Sequence, residues 1–127
     1  MLLWGNGTLN AALSEQYLSP GYSDTLAQGS RIAYLLPLTG SGVIQNLFVR
    51  QNIPGVGPGE LVYRLEVNGV PTDLAVEIPI NAVQAANRVD EVEVDQEDVI
   101  ALVVEGGFTM GTPPGDVVVT AEYVRTA

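Results

Sequence analysis

The stretch that most restricts the fold is ELVYRLEVNGVPTDLAVEIPI, residues 60–80. Apolar side chains recur at every second position before its centre (Leu61, Tyr63, Leu65, Val67) and again after it (Val70, Leu74, Val76, Ile78, Ile80). That is the period of a strand with one buried face. Asn68-Gly69 stands between the two runs. A two-residue type I′ turn needs positive φ at both central positions, which Gly adopts freely and Asn more cheaply than most residues. The pattern therefore predicts a β-hairpin. Counting outward from Val67 opposite Val70, Leu65 should face Thr72, Tyr63 should face Leu74, and Leu61 should face Val76, with Arg64 across from Asp73 on the other side.

The rest of the chain reads as short strands between turns. Residues 1–30 have a loose apolar pattern with the turn signal Ser19-Pro20-Gly21 and read as short strands joined by loops. Residues 31–38 (RIAYLLPL) are apolar nearly throughout, as in a strand covered on both faces, with Pro37 at an edge or bulge. Residues 43–51 alternate Val43, Gln45, Leu47, Val49 with Ile44, Asn46, Phe48, Arg50, so both faces carry apolar groups. Residues 53–59 form a Gly/Pro loop, 81–87 read as a loop or single turn, and strands are expected at 88–94, 98–105 and 116–125 around a loop at 106–115. With no long amphipathic helix and no repeat, one all-β domain over residues 1–127 is expected, an antiparallel sandwich of about eight strands.

Two late strands carry more apolar surface than one buried face uses. Ile100, Leu102 and Val104 are backed by Val99, Ala101 and Val103, while Val117, Val119, Ala121 and Tyr123 are backed by Val118, Thr120 and Val124. Their second faces need cover from the N-terminal segment or from another copy of the chain.

Composition narrows the chemistry. The chain has no Cys, no His and no Lys; its five basic residues are Arg31, Arg50, Arg64, Arg88 and Arg125. An imidazole base, a thiolate nucleophile, a Schiff-base amine and a zinc site of the usual nitrogen and sulfur type are thereby excluded. A formal net charge of −10 argues against nucleic acid and against an anionic membrane surface as partners. The start, Met1-Leu2-Leu3-Trp4-Gly5-Asn6, lacks the basic region of a signal peptide, and no apolar run is long enough to span a bilayer.

Asp90, Glu91, Glu93, Asp95, Glu97 and Asp98 place six carboxylates in nine residues. Calcium is the functional alternative, but the spacing lacks the central Gly of a calcium loop, and Glu93 alternates with Val92 and Val94 as an outward strand residue does. A solvated face is the expectation, with no metal and no cofactor. Glu66 with Glu77, or Glu91 with Glu93, would be the carboxylate pairs of a glycosidase, yet nothing marks either pair as special. The Gly55-to-Gly59 run lacks the lysine of a phosphate loop. The chain reads as a non-enzyme.

Several runs together resemble a known architecture. Gly42-Val43-Ile44-Gln45-Asn46-Leu47-Phe48-Val49, the Leu65-Glu66-Val67-Asn68-Gly69-Val70 hairpin, Val92-Glu93-Val94, Glu97-Asp98-Val99-Ile100-Ala101-Leu102-Val103-Val104 and the closing Ala121-Glu122-Tyr123 resemble small trimeric jelly-roll domains. These are the tumour-necrosis-factor-like heads of spore-surface collagen-like proteins and of bacteriophage structural proteins, including capsid decoration (cement) proteins and head fibres. The likeness spans residues 42–125 and departs from the family pattern at Glu97, where Gly is usual.

What the resemblance implies is an eight-stranded jelly roll, a homotrimer, and a structural role without catalysis. The first expectation is a decoration protein of the virion that binds the major capsid protein on the outer capsid surface. The alternative is a receptor- or glycan-binding head of a phage fibre or bacterial surface protein. Residues 1–13 are a candidate partner-contacting arm, with Leu2, Leu3, Trp4 and Leu9 as the contact residues, because an apolar segment with few charges should bury itself against something. The same residues would otherwise form the first strand of their own sandwich, leaving the contact to loops such as 53–59.

Overall fold

The computed structural model describes residues 1–10, 13–27, 29, 36–106 and 112–126. The strands in chain order are β1 (Leu2–Thr8), β2 (Glu15–Tyr17), β3 (Ser19–Pro20), β4 (Ser23–Leu26), β5 (Leu36–Pro37) and β6 (Gly42–Ile53), followed by β7 (Glu60–Val67), β8 (Val70–Pro79), β9 (Gln84–Val94), β10 (Val99–Glu105) and β11 (Gly115–Arg125). They form a β-sandwich of two sheets. One has the order β3-β1-β11-β6-β9, with β4 also on β1; the other has the order β2-β10-β7-β8, with β5 also on β10. Among the described residues there are eleven strands beside the expectation of about eight, because the N-terminal third contributes several very short ones. All pairings are antiparallel except β1 with β4. The pairing is nested: β1 lies on the last strand, β2 and β5 on β10, β6 on β9, and β7 on β8. A long hairpin rolled over on itself gives this order, which is compatible with a jelly roll.

The hairpin turns where Asn68-Gly69 requires, with φ of 51° and 80° at the two residues and Val67 opposite Val70. Lower down, the expected register gives way. Glu66 faces Pro71 but Arg64 faces Ala75, so Leu65 lies across from Thr72, Asp73 and Leu74 together. The Thr72 hydroxyl donates to the Leu65 carbonyl (2.8 Å) and accepts from the Leu74 amide (3.3 Å), standing in for ladder bonds across the bulge. Arg64 therefore does not meet Asp73. It donates to the Thr72 carbonyl and pairs with Glu105 on β10 at 3.1 Å. Because the slip is of two residues, the faces are preserved: Leu61, Tyr63, Leu65, Leu74, Val76 and Ile78 all enter the core.

A second bulge resolves the two apolar faces of β6. Asn46 takes φ 54°, and β6 shifts register there against both β11 and β9. Its phase flips at that point, so Ile44 on one side of the bulge and Leu47, Val49 and Gln51 on the other all point inward. Strand β9 starts at Gln84 instead of Arg88, since Gln84, Ala85 and Ala86 pair with Arg50, Val49 and Phe48. Packing against a long neighbour there overrides weak local preference. Of the strand expected at 31–38, only residues 36–38 lie within the described residues, with Leu36–Pro37 forming β5, and half of the 106–115 loop lies outside them.

Every residue from Ile100 to Val104 on β10 is buried within the single chain. Ile100, Leu102 and Val104 join the main core, while Ala101 and Val103 on the other face pack with Tyr17 of β2. The N-terminal segment thus supplies cover that could also have come from a second copy. On β11, Val118 is half-buried and Val124 is 40% exposed.

Candidate functional site

The expected contact residues lie in a strand, not in a free arm. Strand β1 is hydrogen-bonded to β11 along its whole length and to β3 and β4 on its other side. Trp4 and Leu9 are fully buried in their own core. Leu2 is half-buried against that core, and Leu3 is 38% exposed on the outer face. In the single chain these residues take the place weighed as the alternative, the first strand of their own sandwich, with Trp4 and Leu9 buried inside the subunit and Leu3 left partly exposed. Gly5 shows how closely this strand is packed, since a Cβ there would come within 2.7 Å of both the Tyr22 ring and the Val117 carbonyl oxygen. Tyr22 lies over Gly5 and donates its hydroxyl to Asp116 at 2.7 Å.

Three exposed apolar side chains lie toward the end of the sandwich where β6 finishes and β9 begins, while Met1, Val70, Val89 and Val124 are exposed elsewhere. Ile53, Val56 and Val83 are 60%, 65% and 42% exposed. The backbone beneath them is tightly held. Val56 exchanges two 2.9 Å hydrogen bonds with Thr112, and the Gly55 amide donates to the Ile80 carbonyl at 2.7 Å. No side chain fits at Gly55, where a Cβ would meet the Thr112 carbonyl oxygen at 2.6 Å.

A buried amide is the anchor of this end. Gln51, fully buried, donates its backbone amide to the Val83 carbonyl (2.6 Å) and its side-chain NH₂ to the carbonyls of Ala82, Ile80 and Pro79. Its Oε1 accepts from the hydroxyl of Tyr63, also fully buried, at 2.8 Å. Burial raises the Tyr63 phenol above its ordinary value, so it stays a donor. The only trace of Gln51's role in the sequence is its parity with Leu47 and Val49 on an inward face.

Carboxylates rim this end on one side. Glu60 and Glu77 lie near each other on β7 and β8, and Glu60's carboxyl is raised from its usual range, first by a hydrogen bond to Glu77, then by its charge, then by burial. At the opposite end, the acidic run is tied into turns. The Asp98 carboxylate accepts from the Asp95 amide (2.8 Å) and from the Asn68 side chain (2.9 Å), which holds it below the usual carboxylate range. Asn68 in turn accepts from the Val99 amide at 3.0 Å. Glu97 sits at φ 74°, a left-handed conformation suited to Gly. Among the described residues, no three acidic side chains gather as metal ligands would.

The two carboxylate pairs weighed from the sequence lie in different settings. Glu66 is buried with the Tyr17 hydroxyl 3.5 Å away, whereas Glu77 is exposed several residues farther down the hairpin; Glu91 and Glu93 are exposed on β9. Of the aromatics among the described residues, Trp4, Tyr17 and Tyr63 are buried, Phe48 and Tyr123 are half-buried and Tyr22 is exposed; Tyr34 and Phe108 lie outside the described residues. Compared with known proteins, the chain matches no family model and no curated protein.

Proposed function

We propose that this chain is a structural, non-catalytic protein that decorates the outer surface of a bacteriophage capsid as a homotrimer, docking through the end that carries Ile53, Val56 and Val83. The observation that carries the reading is that patch: three exposed apolar side chains set on a backbone held rigid by Gln51 and Gly55. A preformed surface loses little entropy on docking. Fully burying one such side chain is worth about 1.5–3 kcal/mol, and three copies acting together multiply the affinity of a weak single contact. The jelly-roll-compatible strand order and the absence of His, Cys and Lys fit a module that binds without reacting.

The test is co-sedimentation with undecorated heads of the phage that encodes the chain, with mass photometry on the free protein. The wild type should run as a trimer and pellet with heads. The Ile53→Asp/Val56→Asp variant should stay trimeric and lose the heads at least about tenfold. Wild-type protein that ignores heads, or a variant that binds them unchanged, refutes the proposal.

A further inference from the structure

We propose that the groove on the outer face of the β6–β11 sheet binds a small polyhydroxylated carboxylate, with a uronic-acid ring as the type. The groove is lined by Asn46, Phe48, Arg88, Thr120 and Glu122, with Met1 at its margin. It is made by the bulge. Both neighbours of β6 slip register beside Asn46, which takes a left-handed φ of 54° at the bulge. At about 260 Å³ it lies just below the range of about 300–1,000 Å³ that holds drug-sized ligands, so a single ring is the matching size.

The lining identifies the ligand by its chemistry. Half-buried Phe48, paired with Thr120 on one side and Ala86 on the other, offers an aromatic face to the C–H face of a sugar ring. Glu122 is oriented by two amides: Gln45 Nε2 donates to its Oε1 at 3.3 Å, and Asn46 Nδ2 donates to its Oε2 at 3.1 Å. Each oxygen retains a lone pair, so this fixed carboxylate can accept from ligand hydroxyls. Arg88 is exposed and, among the described residues, makes no ion pair or hydrogen bond. A guanidinium without a partner among the described residues is suited to a carboxylate held by two parallel bonds, a local attraction that has to outweigh the overall negative charge of the chain. An acceptor for hydroxyls and a fork for a carboxylate beside one aromatic face describe an acidic sugar better than a neutral one. The site is separate from the capsid-docking end, and gives the glycan-binding alternative specific residues.

The experiment is a ¹H–¹⁵N titration of the full chain with sodium glucuronate and with glucose at matched ionic strength. Glucuronate should produce saturable shifts at the amides of residues 45–48, 86–89 and 120–122, with glucose at least about tenfold weaker. Arg88→Gln, at an exposed position, should leave the rest of the spectrum unchanged and reduce glucuronate binding to the level of glucose. The proposal is overturned by no saturable shift up to about 50 mM, by equal binding of the two sugars, by shifts confined to other residues, or by an Arg88→Gln variant that binds as the wild type does.

Discussion

Removing one oxygen atom from the interior tests how the patch-bearing end is held. In Tyr63→Phe the ring and its packing remain, and only the 2.8 Å bond to Gln51 Oε1 is lost. Both residues are fully buried, so the bare carbonyl of Gln51 gains no water in exchange. A neutral hydrogen bond contributes about 1 kcal/mol net, but an orphaned buried acceptor costs about 1–3 kcal/mol, and the orphan decides the outcome. The expected loss is therefore about 2 kcal/mol, which for a domain of this size lowers the Tm by roughly 6–10 °C. Urea melts should show a shifted midpoint with an unchanged slope.

The same bond can be isolated by a double-mutant cycle. Gln51→Leu removes the acceptor together with the donor that serves the Ala82, Ile80 and Pro79 carbonyls, and should cost more than Tyr63→Phe alone. Adding Tyr63→Phe to Gln51→Leu should then cost little, giving a coupling of about 1–2 kcal/mol. Hydrogen exchange supplies a local readout, since the Gln51 amide donates to Val83 and should lose protection in Tyr63→Phe before the central amides of β10 do. A destabilisation below about 0.5 kcal/mol, or additive single-variant losses, would refute the claim that this pair anchors the end.

Two further expectations concern packing and pH. Gly5→Ala places a methyl group 2.7 Å from both the Tyr22 ring and the Val117 oxygen, and should destabilise by about 1–3 kcal/mol in chemical melts, with the Tyr22–Asp116 hydrogen bond lost from the hydroxyl's NMR signature. Glu60 has a folded-state value raised by Glu77, so its contribution is fully present below the unfolded value and is lost as pH rises through the raised one; Glu77→Gln should flatten that fall in a Tm-versus-pH profile, and an unaltered profile would contradict it.

The hairpin was legible because two independent signals, period-two patterning and the Asn-Gly turn, agree on one turn and one buried face. The bulge at residues 72–74 was not, because a slip of two residues leaves the pattern of apolar positions unchanged, and only the Thr72 hydroxyl, substituting for ladder bonds, permits it. At Asn46 the sequence did carry a trace. Apolar residues on both faces of β6 signal either double burial or a change of phase, and the left-handed Asn supplies the change. Composition shows that the apolar N-terminal residues call for burial but not whether a partner or the same sandwich supplies it; pairing of β1 with β11 places Trp4 and Leu9 in their own core. The apolar end patch was legible only as a loop. Which of its side chains emerge depends on Gln51 and Gly55, whose partners include Tyr63, Ile80 and Thr112 on other elements of the chain.

The most direct measurement of the proposed function is cryo-electron microscopy of the encoding phage's heads incubated with the chain. Three-fold knobs are expected on the outer capsid surface, each copy touching the major capsid protein through Ile53, Val56 and Val83. Knobs seated by the outer face of the β6–β11 sheet, density on a fibre and none on the shell, or bare heads at saturating protein would contradict the proposed function.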